Sequence, residues 1–223
     1  MRKVVWLSTA VKAVIVILAV ILILLAWPFR VFRFKETQSV PVTSGTTSSL
    51  INRNNYVKQI FFANGTHMDS MRLCVMQGNE GTFEVRFYDV KQKQLAIEEI
   101  KIPESLPAYV RVPVDLDMIE DGQTPYFFKV SVPEDSDTGL TISMEPWGAN
   151  PNVISVAYYN ETPLQGMNYA ADYTYSRPFD LLRTSLLIGT VLLVMFIALA
   201  LTDRIFEKRN RLVTVEGVVK AIA

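Results

Sequence analysis

The run AVIVILAVILILLAWPFR, residues 13–30, carries no charge before Arg30. Upstream, only Lys12 breaks an apolar stretch that begins near Leu7. A helix rises about 1.5 Å per residue, so roughly 20 apolar residues cross a hydrocarbon core. Residues 7–29 meet that length, with Lys12 near one end, where its stem can carry the ammonium to the interface. A secretory signal has a shorter apolar region and small residues before its cleavage site. Here the run ends in Ala26, Trp27, Pro28, Phe29 and Arg30, so it reads as an uncleaved signal-anchor. A second run, TSLLIGTVLLVMFIALALT at residues 184–202, is 19 uncharged residues long. Arg183 precedes it, and Asp203 and Arg204 follow. It reads as a second membrane helix.

Two crossings put both termini on one side. Arg2, Lys3, Lys12, Arg204, Lys208, Arg209, Arg211 and Lys220 lie on the terminal side, against Arg30, Arg33, Lys35, Arg177 and Arg183 on the other. The excess predicts cytoplasmic termini and an extracytoplasmic middle. The expected layout is a cytoplasmic start at 1–6, a membrane helix at 7–29 and a linker at 30–55. The external domain follows at 56–180, with a membrane-proximal return segment. A second helix at 181–202 and a basic cytoplasmic tail at 203–223 complete it.

The formal net charge of zero hides an asymmetry. Between Glu36 and Asp180 stand 19 acidic and 10 basic residues, a net of −9. The remainder holds 3 acidic and 12 basic, a net of +9. An acidic domain repels nucleic acid, which needs a basic footprint, whereas basic ends suit anionic headgroups. The lipid bilayer is therefore an expected partner and nucleic acid is not. Cys74 is the single cysteine, so no internal disulfide is available.

The middle of the chain has a period of two. TFEVRFYDV sets Phe83, Val85 and Phe87 against Glu84, Arg86 and Tyr88. SMRLCVM aligns Met71, Leu73 and Val75, and AYVRVPV aligns Val110, Val112 and Val114. YFFKVSV sets Tyr126, Phe128, Val130 and Val132 against Lys129 and Ser131. With 56–62, 94–101, 140–145 and 152–159 this makes about eight strands, separated by Gly/Asn/Asp turns such as Asn64-Gly65 and Asp121-Gly122. No long helical period interrupts them. The expected fold is an all-β ectodomain, an antiparallel two-sheet sandwich of jelly-roll type, plus two transmembrane helices. Phe83, Val85, Phe87, Phe128 and Val130 should point between the sheets.

Gln59 and Phe61 in a Gln-x-Phe opening, the FEVRFYD strand and the later YFFKVSV strand resemble bacterial extracytoplasmic jelly-roll modules. Such modules are similar to carbohydrate-binding modules and accompany membrane enzymes of surface-glycan assembly. The likeness spans residues 56–159. That family usually sits fused to, or beside, a multi-span glycosyltransferase or polymerase. This chain has two apolar runs only, so the resemblance implies an accessory part with an integral-membrane partner.

The catalytic inventory is thin. His67 is the only histidine and sits beside a turn, where a solvated loop residue is expected. One histidine and one cysteine do not make a zinc site, and no phosphate-binding loop or dinucleotide fingerprint occurs. No cofactor is expected. Asp115, Asp117, Glu120 and Asp121 in DLDMIEDG have the oxygens calcium prefers, but not EF-hand spacing; a solvated turn is the competing reading.

Aromatic residues are the better lead. Trp147 lies in MEPWGANPN, with Tyr158, Tyr159 and Tyr169 downstream. Flat rings with polar edges stack on sugars; alternatively, Trp147 plugs one end of the sandwich. Tyr173 and Tyr175, with Phe179, are expected in an interfacial belt matched by Trp27. Arg30, Arg33, Lys35, Arg177 and Arg183 would form a basic collar at the external membrane surface.

The function expected from these features is a non-catalytic, membrane-anchored accessory protein. Its sandwich would engage a surface glycan or a membrane glycan-assembly partner. A polysaccharide chain-length regulator is the alternative, but such proteins resemble α+β bodies with long helices. A surface glycan hydrolase is the third reading.

Overall fold

The computed structural model describes residues 2–148 and 155–222. It divides into two units, one of Met1–Phe34 with Pro178–Ala223 and one of Lys35–Arg177.

Thirteen strands form among the described residues. The first four are β1 (Arg33–Gln38), β2 (Thr46–Thr47), β3 (Val57–Phe62) and β4 (His67–Gly78). Next come β5 (Thr82–Tyr88), β6 (Gln94–Lys101), β7 (Ala108–Asp117), β8 (Pro125–Ser131) and β9 (Leu140–Pro146). β10 (Ser155–Tyr159), β11 (Thr162–Pro163), β12 (Met167–Tyr169) and β13 (Ala171–Pro178) complete the set. Each of the eight strands expected from alternation is present, although residues 152–154 of the eighth lie outside the described residues. Seven strands make one sheet, along β1-β13-β4-β9-β12 with β7 beside β4 and β2 beside β9. Six make the other, in the order β11-β10-β3-β8-β5-β6.

Period-two patterning explains the core. Phe83, Val85, Phe87, Phe128 and Val130 are all buried and share one cluster with Met71, Leu73 and Val112 of the opposite sheet. Phe61 of β3 stacks on Tyr173 of β13 with ring centroids 4.8 Å apart, so an aromatic clasp joins the sheets. Burying one large apolar side chain contributes about 1.5–3 kcal/mol.

Gln59 is the polar counterpart of this clasp. It is 1% exposed. Its Oε1 accepts from the Tyr169 amide at 2.6 Å, and its Nε2 donates to the Tyr173 hydroxyl at 3.1 Å and the Tyr169 carbonyl at 3.3 Å. A buried amide is tolerated when its groups are bonded. Gln59→Leu leaves the Tyr169 amide without its acceptor; a loss of about 1–3 kcal/mol is expected. Denaturant titration of the full chain followed by tyrosine fluorescence measures it.

The structure corrects the layout in three places. The segment expected as a linker at 30–55 contains β1 and β2, and Val40, Ser48 and Ile51 are buried. Its binding is polar: the Val40 amide donates to Asp172 at 3.2 Å, and the Thr43 and Ser44 amides donate to Glu145 at 2.7 and 3.0 Å. The return segment is β13, a central strand whose Tyr173 and Tyr175 are each 1% exposed. They pack in the core and cannot serve as an interfacial belt. His67 opens β4 rather than occupying a loop, with Nδ1 2.9 Å from Asp117 and Nε2 3.3 Å from Asp115. Gly65 before it needs its missing side chain, because a Cβ there would lie 2.7 Å from the Tyr175 Cβ. Cys74 is a buried free thiol.

The other unit holds two long helices, α1 (Arg2–Ala26) and α2 (Leu181–Ile222). Trp6–Ala26 and Leu181–Arg209 are long and apolar enough to cross a membrane. The tail beyond residue 202 continues α2 without a break at Asp203. The buried residues of the two helices are small: Ala19 and Ala26 of α1, Thr184 and Thr202 of α2. Lys12 pairs with Asp203 across the helices.

Candidate functional site

The outer face of the six-stranded sheet is assembled from residues one position out of phase with the core. On β3 these are Lys58 and Ile60, on β8 Phe127 and Lys129, on β5 Arg86 and Tyr88, and on β10 Tyr158. Register then sorts them into rows. Tyr158 faces Lys58, Lys58 faces Lys129, and Lys129 faces Arg86. The next row runs Val156, Ile60, Phe127, Tyr88.

From these rows Lys58, Lys129, Ile60, Phe127 and Tyr88 line a groove of ≈ 430 Å³, with Tyr56, Val90, Gln92, Pro125 and Glu161 around it. Such a volume is in the range of small-ligand sites. Phe127 and Tyr88 stack face to face, with centroids 4.8 Å apart and 12° between their planes, so they stand in the groove as a ring pair. Lys58 stands between rings, 4.9 Å from the Tyr158 centroid and 5.8 Å from that of Phe127. Lys129 Nζ sits 3.7 Å from the Tyr56 centroid. A second depression, lined by Asn52, Asn55, Arg86 and Glu134 among others, shares Tyr56 and Lys129 with the first.

Charges in the groove are unevenly matched. Arg86 donates to Glu84 Oε2 through Nε at 3.0 Å and Nη2 at 2.5 Å. Glu161 accepts from Lys58 Nζ at 3.0 Å and from the Tyr56 hydroxyl. The bond to Glu161, with burial and the carboxylate charge, pushes the Tyr56 pKa up to about 12. The same Tyr56 bond, then Lys58, holds Glu161 below the usual carboxylate range. Burial pushes the Lys129 pKa down, and Arg86 and Lys58 push it further against the pull of Glu161.

The residues singled out from sequence fall in several places. Tyr158 borders the groove through Lys58. Tyr159 is half-buried against the core, and its hydroxyl donates to the Leu50 carbonyl at 3.1 Å. Tyr169 is fully buried and offers no face to a ligand; its hydroxyl donates to the Tyr158 carbonyl at 3.0 Å. Trp147 is 52% exposed at the end of β9, away from the groove lining, with Nε1 donating to the Met167 carbonyl and Asn168 Oδ1, each at 3.1 Å. Residues 149–154 beside it lie outside the described residues.

Two members of the expected collar are engaged within the β domain. Arg177 donates to the Asn64 carbonyl and pairs with Glu36 at 3.1 Å and Glu120 at 2.8 Å. Lys35 pairs with Asp69 at 3.1 Å. These contacts tie strand ends together rather than leaving the charges free for lipid. Arg33 is exposed in β1. Arg183 pairs with Asp180 at 2.7 Å and lies 3.7 Å from the Phe34 centroid. Arg30 lies 4.7 Å from the ring centroid of the exposed Trp27.

The four carboxylates considered for calcium do not converge. Asp115 and Asp117 flank His67, Glu120 pairs with Arg177, and Asp121 caps its own turn by accepting from the Gln123 and Thr124 amides at 2.8 and 2.7 Å. Among the described residues no three His, Cys, Asp or Glu side chains gather as a metal site would need.

Sequence reasoning passed over Tyr56, Lys58, Tyr88, Phe127, Lys129 and Glu161 as a group. A signal was present, since alternation already placed Lys129, Arg86 and Tyr88 on outer faces. Strand order and register, which bring them together, were not legible.

No protein-family model and no curated protein matches this chain. Among solved structures it is similar to that of infectious bursal disease virus, Gx strain, at 11% identity and a TM-score of 0.26, covering 81% of this chain and 49% of that one. The Gt strain structure of the same virus gives 10% identity and a TM-score of 0.19, covering 81% and 48%. The chain spans about half the length of these viral chains. A likeness this low carries no argument about fold or function.

Proposed function

We propose that Lys35–Arg177 is a non-catalytic glycan-binding module of jelly-roll type, and that the two apolar helices anchor it in a membrane. The termini then lie in the cytoplasm and the module outside. The observation that carries the binding reading is the groove on the six-stranded sheet, with its Tyr88–Phe127 ring pair and polar rim. Stacked rings bury the C–H face of a sugar while polar edges bond its hydroxyls. The chain passes repeatedly from one sheet to the other, β3 to β4, β6 to β7, β7 to β8 and β8 to β9, which supports a jelly-roll connection.

Among the described residues Glu161 is the single carboxylate lining this groove, and it is engaged by Lys58 and Tyr56. Glycoside hydrolysis needs two carboxyl groups flanking one bond, so binding fits the groove better than turnover. No helix occurs among the described residues of Lys35–Arg177, which counts against the α+β chain-length-regulator alternative. The exposed apolar residues of α1 and α2 suit contact with lipid and with an integral-membrane partner.

Isothermal titration of the full chain in uncharged detergent against surface polysaccharide fragments tests the module. Phe127→Ala is expected to weaken binding about tenfold or more, equivalent to about 1.4 kcal/mol, with its thermal midpoint within a few degrees of wild type. Unchanged affinity in that variant would place the ligand elsewhere. Orientation has its own readout: protease added to intact cells should digest the module and spare the segment after Asp203.

A further inference from the structure

We infer that the ligand held in this groove is an acidic glycan, a sugar chain bearing carboxylate, sulfate or phosphate groups, and that Lys129 receives the negative charge. The inference rests on the glycan-binding reading above and adds the ligand's chemistry.

Three cations stand in one row. Lys58, Lys129 and Arg86 are direct partners on adjacent strands β3, β8 and β5. Neighbouring strands lie about 4.8 Å apart, and like charges placed opposite one another weaken a sheet. Two of the three are neutralised locally: Arg86 by Glu84 and Lys58 by Glu161. Lys129 has no carboxylate within ion-pair distance among the described residues, and only the face of Tyr56 lies against it. The surrounding region is acidic, at 19 acidic to 10 basic residues between Glu36 and Asp180, yet three of those ten cations share this row and two of them line the groove. Burial, then Arg86 and Lys58, disfavour the Lys129 ammonium against the pull of Glu161. An anion entering the groove would reverse that disadvantage.

The rest of the groove selects a sugar over other anions. Phe127 lies two residues from Lys129 on β8, about 7 Å along the strand. A sugar set against the Tyr88–Phe127 ring pair therefore has Lys129 within reach of a substituent. A peptide adding to a sheet needs an unpaired edge for its backbone bonds. This groove lies on the face of β3, β8 and β5, each of which is paired on both sides. Recognition must come from side chains, which here are aromatic rings, Gln92, the Lys58–Glu161 pair and Lys129, a cation with no carboxylate at ion-pair distance among the described residues.

The test is titration of the full chain in uncharged detergent with five probes: oligogalacturonate, dextran sulfate fragments, phosphorylated mannan oligosaccharides, neutral dextran oligosaccharides and poly-glutamate. At least one acidic glycan should bind ten-fold or more tightly than both neutral dextran and poly-glutamate, and the best arm identifies the acidic group. Lys129→Met should remove that ten-fold advantage while the thermal midpoint stays level or rises, since a repulsive row is relieved. Equal binding of neutral dextran, indifferent to Lys129→Met, would overturn the acidic assignment and leave the glycan-binding module standing. Equal binding of poly-glutamate would show that the groove reads charge alone and overturn the inference. No binding of any glycan, or binding indifferent to Phe127→Ala, would sink both readings.

Discussion

Phe61→Ala is expected to cost about 3–5 kcal/mol of stability, a large share of the roughly 5–15 kcal/mol available to a domain. Phe61 is 1% exposed and stacks on Tyr173 across the sheets at 4.8 Å. It also packs toward Tyr126 and Phe128 at 6.2 and 6.3 Å between centroids. Truncation leaves a cavity at the junction of β3, β8 and β13, where strands paired on both sides cannot move inward to fill it. Phe61→Leu restores much of the volume and should recover more than half of the loss. Near-ultraviolet circular dichroism of the full chain in mild detergent, titrated with urea, measures both. A cost for Phe61→Ala below about 1 kcal/mol would mean that the sheets are not clasped there.

Glu145→Leu is expected to destabilise by about 2–4 kcal/mol. Glu145 is fully buried at the end of β9. It accepts from the Thr43 amide at 2.7 Å, the Thr43 hydroxyl at 2.8 Å and the Ser44 amide at 3.0 Å. Leucine fills the space but leaves those donors unmatched, so residues 43–44 should detach and become protease-sensitive. Glu145→Gln keeps one acceptor and should lose about half as much.

Titration of Glu145 gives an independent check. Burial alone would raise its pKa, but the Ser44 and Thr43 bonds outweigh burial and hold it below the usual value. A carboxylate depressed in the folded state binds fewer protons there than in the unfolded chain. Its contribution is therefore complete above the unfolded value, about 4.3, and fades as pH falls through the folded one. Wild type should lose stability over that acid window more steeply than Glu145→Gln, as thermal midpoints at successive pH values will show.

The groove and the core illustrate how differently two faces of one strand can be read. In YFFKVSV the alternation assigns Tyr126, Phe128 and Val130 inward from sequence alone, because burial of every second residue is a local pattern. Phe127 and Lys129 are then known to face out, but not what faces them. Tyr88 comes from a strand some forty residues earlier, and Glu161 from a turn some thirty residues later. Only pairing of β8 with both β3 and β5 assembles the ring pair and the cationic row.

Tyr173 and Tyr175 mark the opposite failure. Their place shortly before an apolar helix suggested an interface, and nothing local says that ADYTYSRP pairs with β4 a hundred residues upstream. Polar segments were misread for the same reason. The Thr/Ser-rich stretch after β1 has a linker's composition, yet it is held by Glu145 and Asp172.

By itself the sequence determined the two apolar helices, the all-β middle and the inward residues of its strands, because length, charge and period act within a few residues. Tertiary structure alone decided which strands adjoin, which tyrosines are sealed inside, and where rings and cations share a face. Those outcomes depend on hydrogen bonds between segments distant in the chain, and no local pattern encodes their register.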